Sequence, residues 1–284
     1  MRALRPRPAA PRKIADLAVK IASSLASLIG IFFLSWILWE VIRKGVAAIN
    51  WSFFSQLPAP PGTPGGGVAN AIVGTLAMTV IGTAIGVPVG MFSGVYLAEF
   101  GQHNRFGSLV RFGVNVIMGI PSIIVGLFVY TIMVKPVGHF SGYAGALSLA
   151  IIMLPVVART TEDMLLLVPD SLRESALALG APRWKVTGNI VFRAARTGMI
   201  TGMLLAVARI SGETAPLLFT ALNSPYWPNS LGQPTANLTV TIFNYAMSPF
   251  ADWQQIAWGA SLLIMVAVLM LNISARLATK GKTR

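Results

Sequence analysis

The 284-residue chain contains no cysteine. A disulfide framework, a thiolate metal site and a palmitoyl anchor are therefore excluded, while the redox compartment is left open. Charge is scarce: charged residues make up 11% of the chain against 55% hydrophobic, and only nine are acidic against 22 Lys and Arg. Soluble domains carry about a quarter of their residues as charges. With a mean hydropathy of +0.69, the chain is read as an integral membrane protein. Histidine is limited to His103 and His139, in short loops predicted on opposite sides of the membrane, so the two cannot share a metal. A membrane-embedded enzyme would need a nucleophile with a base, or a cluster of His and acids inside the spans, and both histidines lie outside them.

A nucleotide site is also missing. The Gly- and Pro-rich stretch Leu57 to Gly67 lacks the Lys and following Ser or Thr of a P-loop, and no strand precedes it. It reads as a stiff external connector. Gly281-Lys282-Thr283 fails as well, because position 276 is Arg where that motif requires Gly. Any ATPase must be a partner, and this chain is not an enzyme on its own. The net charge of +13 calls for no nucleic acid, since no aromatic residue interleaves the basic residues before Lys20.

Apolar runs long enough to cross a bilayer of about 30 Å lie at Ile21 to Ile42, Val68 to Leu97, Ser108 to Val134, Phe140 to Ala158, Thr197 to Leu222 and Gln254 to Ala275. Six spans predict an all-α polytopic membrane helix bundle. Residues 1–20 form a basic arm and residues 21–284 a single membrane domain, with a charged loop at 159–196. The first run is longer than a signal peptide's apolar core of about 7–15 residues, so it is read as an uncleaved span. Positive loops stay in the cytoplasm. Arg2, Arg5, Arg7, Arg12, Lys13 and Lys20 precede the first span, Arg159, Arg173, Arg183, Lys185, Arg193 and Arg196 surround the charged loop, and Arg276, Lys280, Lys282 and Arg284 follow the last span. Both termini are therefore expected in the cytoplasm, and Asn223 to Trp253, which has no Lys or Arg, outside.

Within the spans, Pro88, Pro121, Pro155 and Pro216 are expected to interrupt helices and free backbone carbonyls. Such breaks either border a pathway or simply shape packing. Trp36, Trp39, Trp51, Tyr226, Trp227, Trp253 and Trp258 are read as anchors in the headgroup region. Asn237-Leu238-Thr239 matches a glycosylation acceptor, a pattern too short to weigh.

The charged loop reads as two short helices joined by a corner. Ser171 with Glu174 three residues on fits a capping box, so the first helix is expected to start at Ser171. Leu172, Ala176 and Leu179 recur at helical spacing to make one short apolar face. Gly180 then supplies a left-handed terminator, and Pro182 begins the next helix. Such an element can dock a soluble partner beneath a membrane domain.

Arg209 and Glu213 carry charge inside the fifth predicted span, four residues apart and so on one face of a continuous helix. An arginine at mid-membrane costs at least about 2.5–3.5 kcal/mol on insertion scales, and is kept where it faces a cavity or a counter-charge. Counting about 1.5 Å per residue from Thr197 puts Arg209 about 18 Å inward. Two readings stay open: a pathway cation, or an ion pair that locks this helix to a neighbouring subunit.

Glu174, Ala176, Gly180 and Ile190 stand at the spacings of the EAA loop of ABC importer membrane subunits, with Ser175, Phe192 and Arg193 departing from that pattern. Gly66-Gly67 with Asn70 to Leu76, Gly119 to Ile123 and Ala208 to Leu218 resemble segments of the phosphate-specific permeases, the last of them of the PstA type. The resemblance implies a type I ABC importer permease fold in a prokaryotic inner membrane and uptake of inorganic phosphate. It implies coupling to an ATPase through Ser171, Glu174, Ala176, Leu179 and Gly180. The implied partners are a related permease of the PstC type, two ATPases of the PstB type that bind ATP and Mg, and an external phosphate-binding protein of the PstS type. A substrate pathway is then expected at Arg209, Ser211, Glu213 and Thr214, shaped by Pro121, Ser122 and Pro216. The alternatives are a permease for sulfate, molybdate or phosphonate, which would keep the loop but fits Arg209 to Leu218 less well, and a structural or sensory membrane protein, which would not need the Glu174 to Gly180 spacing.

Overall fold

A computed structural model describes residues 9–280, with side chains described for residues 13–277. Arg2, Arg5 and Arg7 of the basic arm, and the Gly281-Lys282-Thr283 match, lie outside the described residues. The helices are α1 (Ala9–Val46), α2 (Trp51–Ser55), α3 (Ala69–Glu99), α4 (Arg105–Gly119), α5 (Ser122–Val129), α6 (Lys135–Val137), α7 (Gly142–Leu166), α8 (Asp170–Ala178), α9 (Arg183–Lys185), α10 (Phe192–Ile210), α11 (Ala215–Leu218), α12 (Leu238–Ala246) and α13 (Ala251–Lys280). Two π-helical turns, Tyr130–Val134 and Val186–Val191, join α5 to α6 and α9 to α10. The α1 helix starts at Ala9, well inside the stretch read as a basic arm.

Among the described residues five helical stretches are long and apolar enough to cross a membrane, and the count reaches six where a bent pair is taken as one broken span. That pair covers the run expected from Ser108 to Val134 and is interrupted at Pro121 as expected: the helices Arg105–Gly119 and Ser122–Val137 meet at 103°. Pro121 favours the corner, because its ring disfavours helical geometry at the residue before it, and Ile120 is extended at φ −75°, ψ 129°. The fifth span ends earlier than expected, its apolar helical stretch running from Arg183 to Ile210. The α10 helix stops at Ile210, and a tight turn through Ser211 and Gly212 leads to Glu213, whose N–H reaches the Ile210 carbonyl at 3.2 Å. Pro216 then sits in the first turn of α11. Pro88 and Pro155, by contrast, lie inside the unbroken helices α3 and α7. Bilayer and neighbouring helices hold a span together around a proline that would break an isolated helix.

The centre of the bundle is the packing of α3 on α7. Gly82, Gly86, Gly90 and Gly94 repeat every four residues along α3 and remove the side chains that would separate the backbones. A methyl group at Gly90 would stand 2.7 Å from the Leu154 carbonyl oxygen, and one at Gly94 would run into the Ala158 carbonyl and the Thr161 side chain. Around this seam Met78, Leu149, Met153, Val157, Ala206, Ile210 and Leu217 form a buried core. A second core, with Phe53, Val68, Ala236, Leu238 and Ile256, closes the end of the bundle opposite the charged loop. The α1 helix stands largely apart and meets α13 at its C-terminal end, where Gly45 lies against Leu262 and Trp258. Its exposed Ile, Leu, Phe and Trp side chains form a surface that only hydrocarbon or another protein can cover.

Because backbone and a β-branched side chain line the site at Gly94, the neighbours cannot give way. Gly94→Val is expected to lower stability by about 1–3 kcal/mol, read as a lower unfolding temperature of the purified protein in detergent. Gly113→Ala, on α4 with nothing within 4 Å of the new methyl, should leave that temperature unchanged or raise it. Equal behaviour of the two variants would show that the seam is not a close contact.

Candidate functional site

The two helix breaks meet. A Cβ at Gly126, on α5, would lie 2.6 Å from the Cα of Pro216 on α11, so the segments after each break touch backbone to backbone. Beside this contact lies a cavity of about 190 Å³ lined by Ile117, Met118, Ile120, Pro121, Ser122, Val125, Ile152, Pro155, Val156, Arg209 and Glu213. Three of the four span prolines thus mark the walls or the closing contact. Most of the lining residues are apolar by type, with Ser122, Arg209 and Glu213 as the polar side chains, the pattern of a site in which few polar groups select the occupant.

Of the residues expected on a pathway, Arg209, Glu213, Pro121 and Ser122 come together here. Ser211, Thr214 and Pro216 do not line the cavity: the Ser211 hydroxyl donates to the Val207 carbonyl at 2.8 Å, and Pro216 is buried against α5. Arg209 and Glu213 do not share a helical face, because the helix ends between them. Among the described residues no ion pair joins them, and no hydrogen bond is made by the Arg209 guanidinium. Glu213 is instead fixed through its backbone, whose carbonyl accepts from the Thr239 hydroxyl at 2.8 Å. The α10 helix is continuous from Phe192 to Ile210, so Arg209 lies about 18 Å along its axis from Thr197.

The charged loop forms a helix, corner and second helix as expected, with a different start. The α8 helix begins at Asp170 behind Pro169, and no side chain caps it. Ser171 lies within the first turn, where its carbonyl accepts from the Ser175 hydroxyl at 2.7 Å. The expected capping box is therefore absent: Pro169 supplies the stop and Asp170 the favourable charge at the helix start. Gly180 takes the left-handed conformation at φ +79°, and Pro182 immediately precedes α9. The single apolar face is also corrected. Ala176 packs into the bundle with Leu165, Val168, Val186 and Val191, while Leu172 and Leu179 are exposed, Leu179 at 89%. Leu179, Trp184 and the exposed Glu174 make the outward surface of the corner.

Two charged hubs were missed in the sequence. Glu162 is 3% exposed and receives Arg111 Nε at 2.6 Å and Arg159 Nη1 at 3.4 Å. The rest of the Arg111 guanidinium donates to the carbonyls of Leu97 and Gly101 at 2.9 and 3.1 Å, which ties α4 and α7 to the end of α3. The second hub joins Glu99 to Arg173 at 3.0 Å. Arg111 was detectable, since a charge inside a predicted span demands a partner. So was Glu99, because an acid at a helix C-terminus opposes the dipole and needs a cation nearby.

Other features are structural. Asn237 is fully buried, caps α12 through a bond from the Val240 N–H at 2.8 Å and reaches the Leu222 carbonyl at 3.3 Å, so the apparent acceptor is sealed inside the fold. Trp253 stacks on Tyr245 with ring centres 4.4 Å apart and donates to the Ala59 carbonyl at 3.2 Å, pinning the Gly- and Pro-rich connector rather than serving only as an interface anchor.

Residues 86–282 match the model of the binding-protein-dependent transport system inner membrane component. The chain is 50% identical over 261 residues to the phosphate transport system permease protein PstA of Haemophilus influenzae, covering 92% of each. It is 48% identical over 256 residues to the PstA of Yersinia pestis, covering 90% of this chain and 87% of that one. Among solved structures it is similar to a subunit of a bacterial ABC transporter that imports alginate, with a TM-score of 0.68 at 16% identity and 98% and 100% coverage. A chain of the MetNI methionine ABC transporter gives 0.64 at 20% identity, with 76% and 96% coverage. The fold, the family model and the relatives agree: the chain belongs to the inner membrane components of binding-protein-dependent transport systems, multi-pass permease subunits of ABC transporters, and within them to the PstA family.

Proposed function

We propose that this permease subunit forms part of the passage for inorganic phosphate in an ATP-driven importer, with Arg209 as the cation that draws the anion through the membrane. The observation that carries the reading is an arginine about 18 Å along α10 from Thr197, without a counter-charge bonded to it, at a cavity where two spans break. Phosphate at neutral pH carries between one and two negative charges, and its passage wants a fixed cation and donors in a dry region. Arg209 and Ser122 supply these, and Glu213, across the break, repels an anion that lingers. Ser211 and Thr214 flank the turn as further donors once it rearranges. Because Arg209 is exposed on the bundle surface, the opposite wall falls to the related PstC-type permease. The names of the relatives at 48–50% identity favour phosphate over sulfate, molybdate or phosphonate.

The charged end of the bundle faces the cytoplasm in this reading, with both termini on that side. Arg105 and Arg111 add to the cations at that end. The α8 corner docks a PstB-type ATPase through Leu179, Trp184 and Glu174, and a PstS-type protein delivers phosphate at the far side. ATP hydrolysis belongs to the partners. Their closure displaces α8, the α3 and α7 pair moves as one body, and the contact of α5 with α11 opens and shuts.

Single cysteines introduced into this cysteine-free chain test the orientation: a membrane-impermeant reagent applied outside should label position 230 and spare position 183, and labelling of both from one side would overturn it. Arg209→Ala should reduce phosphate uptake about 10- to 100-fold, as the loss of charge-assisted hydrogen bonding of about 1.5–3 kcal/mol requires, while the ATPase still co-purifies. Near-normal uptake by the exchanged protein, Arg209→Glu with Glu213→Arg, would remove Arg209 from the pathway and leave it a packing role.

A further inference from the structure

The α3 helix ends on Glu99, an acid placed where the helix dipole is already negative. Both its oxygens are engaged from the charged loop. Oε1 receives Arg173 Nη2 from α8 at 3.0 Å, and Oε2 receives the Thr187 hydroxyl, from the π-helical turn that leads into α10, at 3.2 Å. Arg173 does more than pair. It donates to the carbonyls of Leu165 at 2.7 Å and Val168, at the end of α7, and to Asp170 at 3.1 Å. Side-chain exposure is 16% for Arg173 and 11% for Glu99, so the charges are poorly solvated, and loss of Glu99 would leave the exposed Asp170 as the one carboxylate on Arg173 among the described residues.

One ion pair with its hydroxyl therefore fastens α8 to three spans: α7 through Arg173 and the Leu165 and Val168 carbonyls, α3 through Glu99, and α10 through Thr187. Chain connectivity alone would tie α8 only to α7 and α10. We infer that Glu99, Arg173 and Thr187 are the joint that clamps α8 to the α3 and α7 pair and transmits its displacement to that pair, and so are positioning residues for coupling ATP hydrolysis to transport. The inference rests on the reading of α8 as the ATPase-docking helix. A π-helical turn at the same place fits a mechanical role, since such turns concentrate at functional points of helices. The geometry also predicts an order of severity, because the charge pair reaches α3 directly and the hydroxyl acts only through Glu99.

The test uses the complete transporter, with its partner permease, ATPases and binding protein, reconstituted in proteoliposomes, and reads ATP hydrolysed per phosphate accumulated. Glu99→Gln keeps the shape and an acceptor oxygen but removes the charge, and should raise that ratio about tenfold or more, with Thr187→Val raising it about two- to fivefold. Should Glu99→Gln fail to assemble, Thr187→Val alone still decides. An unchanged ratio, whether hydrolysis and uptake are both normal or fall in parallel, would make the joint purely structural and overturn the inference. Glu174→Lys separates the two layers: it should lose the ATPase from the purified complex, and retention of both ATPase and full uptake would overturn the docking reading instead, whatever Glu99 does.

Discussion

The close approach of α3 to α7 is the constraint on which the rest of the molecule depends. Without side chains at Gly82, Gly86, Gly90 and Gly94 the two backbones meet, and dispersion contacts replace the hydrophobic driving force that water would supply but lipid cannot. The resulting pair is stiff because neither helix can slide without driving backbone into backbone. It also tolerates Pro88 and Pro155, which the neighbouring helix supports. Everything less regular is arranged around this pair: the bent α4 and α5 on one side, the interrupted α10 and α11 on another.

The charged groups are sorted by the same pair. At one end the carbonyls of Leu97 and Gly101, Glu99 and Glu162 gather Arg111, Arg159 and Arg173, so each buried acid has a cation and the end of α3 is answered by two guanidiniums. At the C-terminal end of α10 the arrangement is reversed. Arg209 faces a cavity with no bonded acid, and the neighbouring backbone is held by neutral donors such as Thr239. Buried charges that are satisfied give fixed geometry; a charge left unsatisfied beside a cavity is available to a ligand.

Much of this was legible in the sequence, and the failures have physical causes. Span count, the charged loop and the Gly180 corner follow from hydropathy and from the left-handed geometry that glycine permits. The place of Arg209 in the last turn of α10 was not legible, because the sequence run continued to Leu222. The pairing of Arg209 with Glu213 fails, because four-residue spacing places side chains together only while the helix continues, and the Ser211-Gly212 turn ends it. Pro121 and Pro88 look alike in sequence, yet one breaks its span and the other does not; the difference lies in the neighbouring helix, which a local reading cannot see. Ser171 lost its capping role to Pro169, one turn signal outweighing another. Glu99 and Arg173, 74 residues apart, needed the fold to bring them together.

The central claim is that the α3 and α7 pair moves as one body while the broken helices change their separation. The direct measurement is a pair of spin-label distances in the assembled, reconstituted transporter, with and without ATP trapped on the ATPases. Labels at positions 80 and 143 report across α3 and α7; labels at positions 128 and 205 report from α5 to α10. The first distance should stay constant while the second shifts. A shift in the first with the second unchanged would contradict the account.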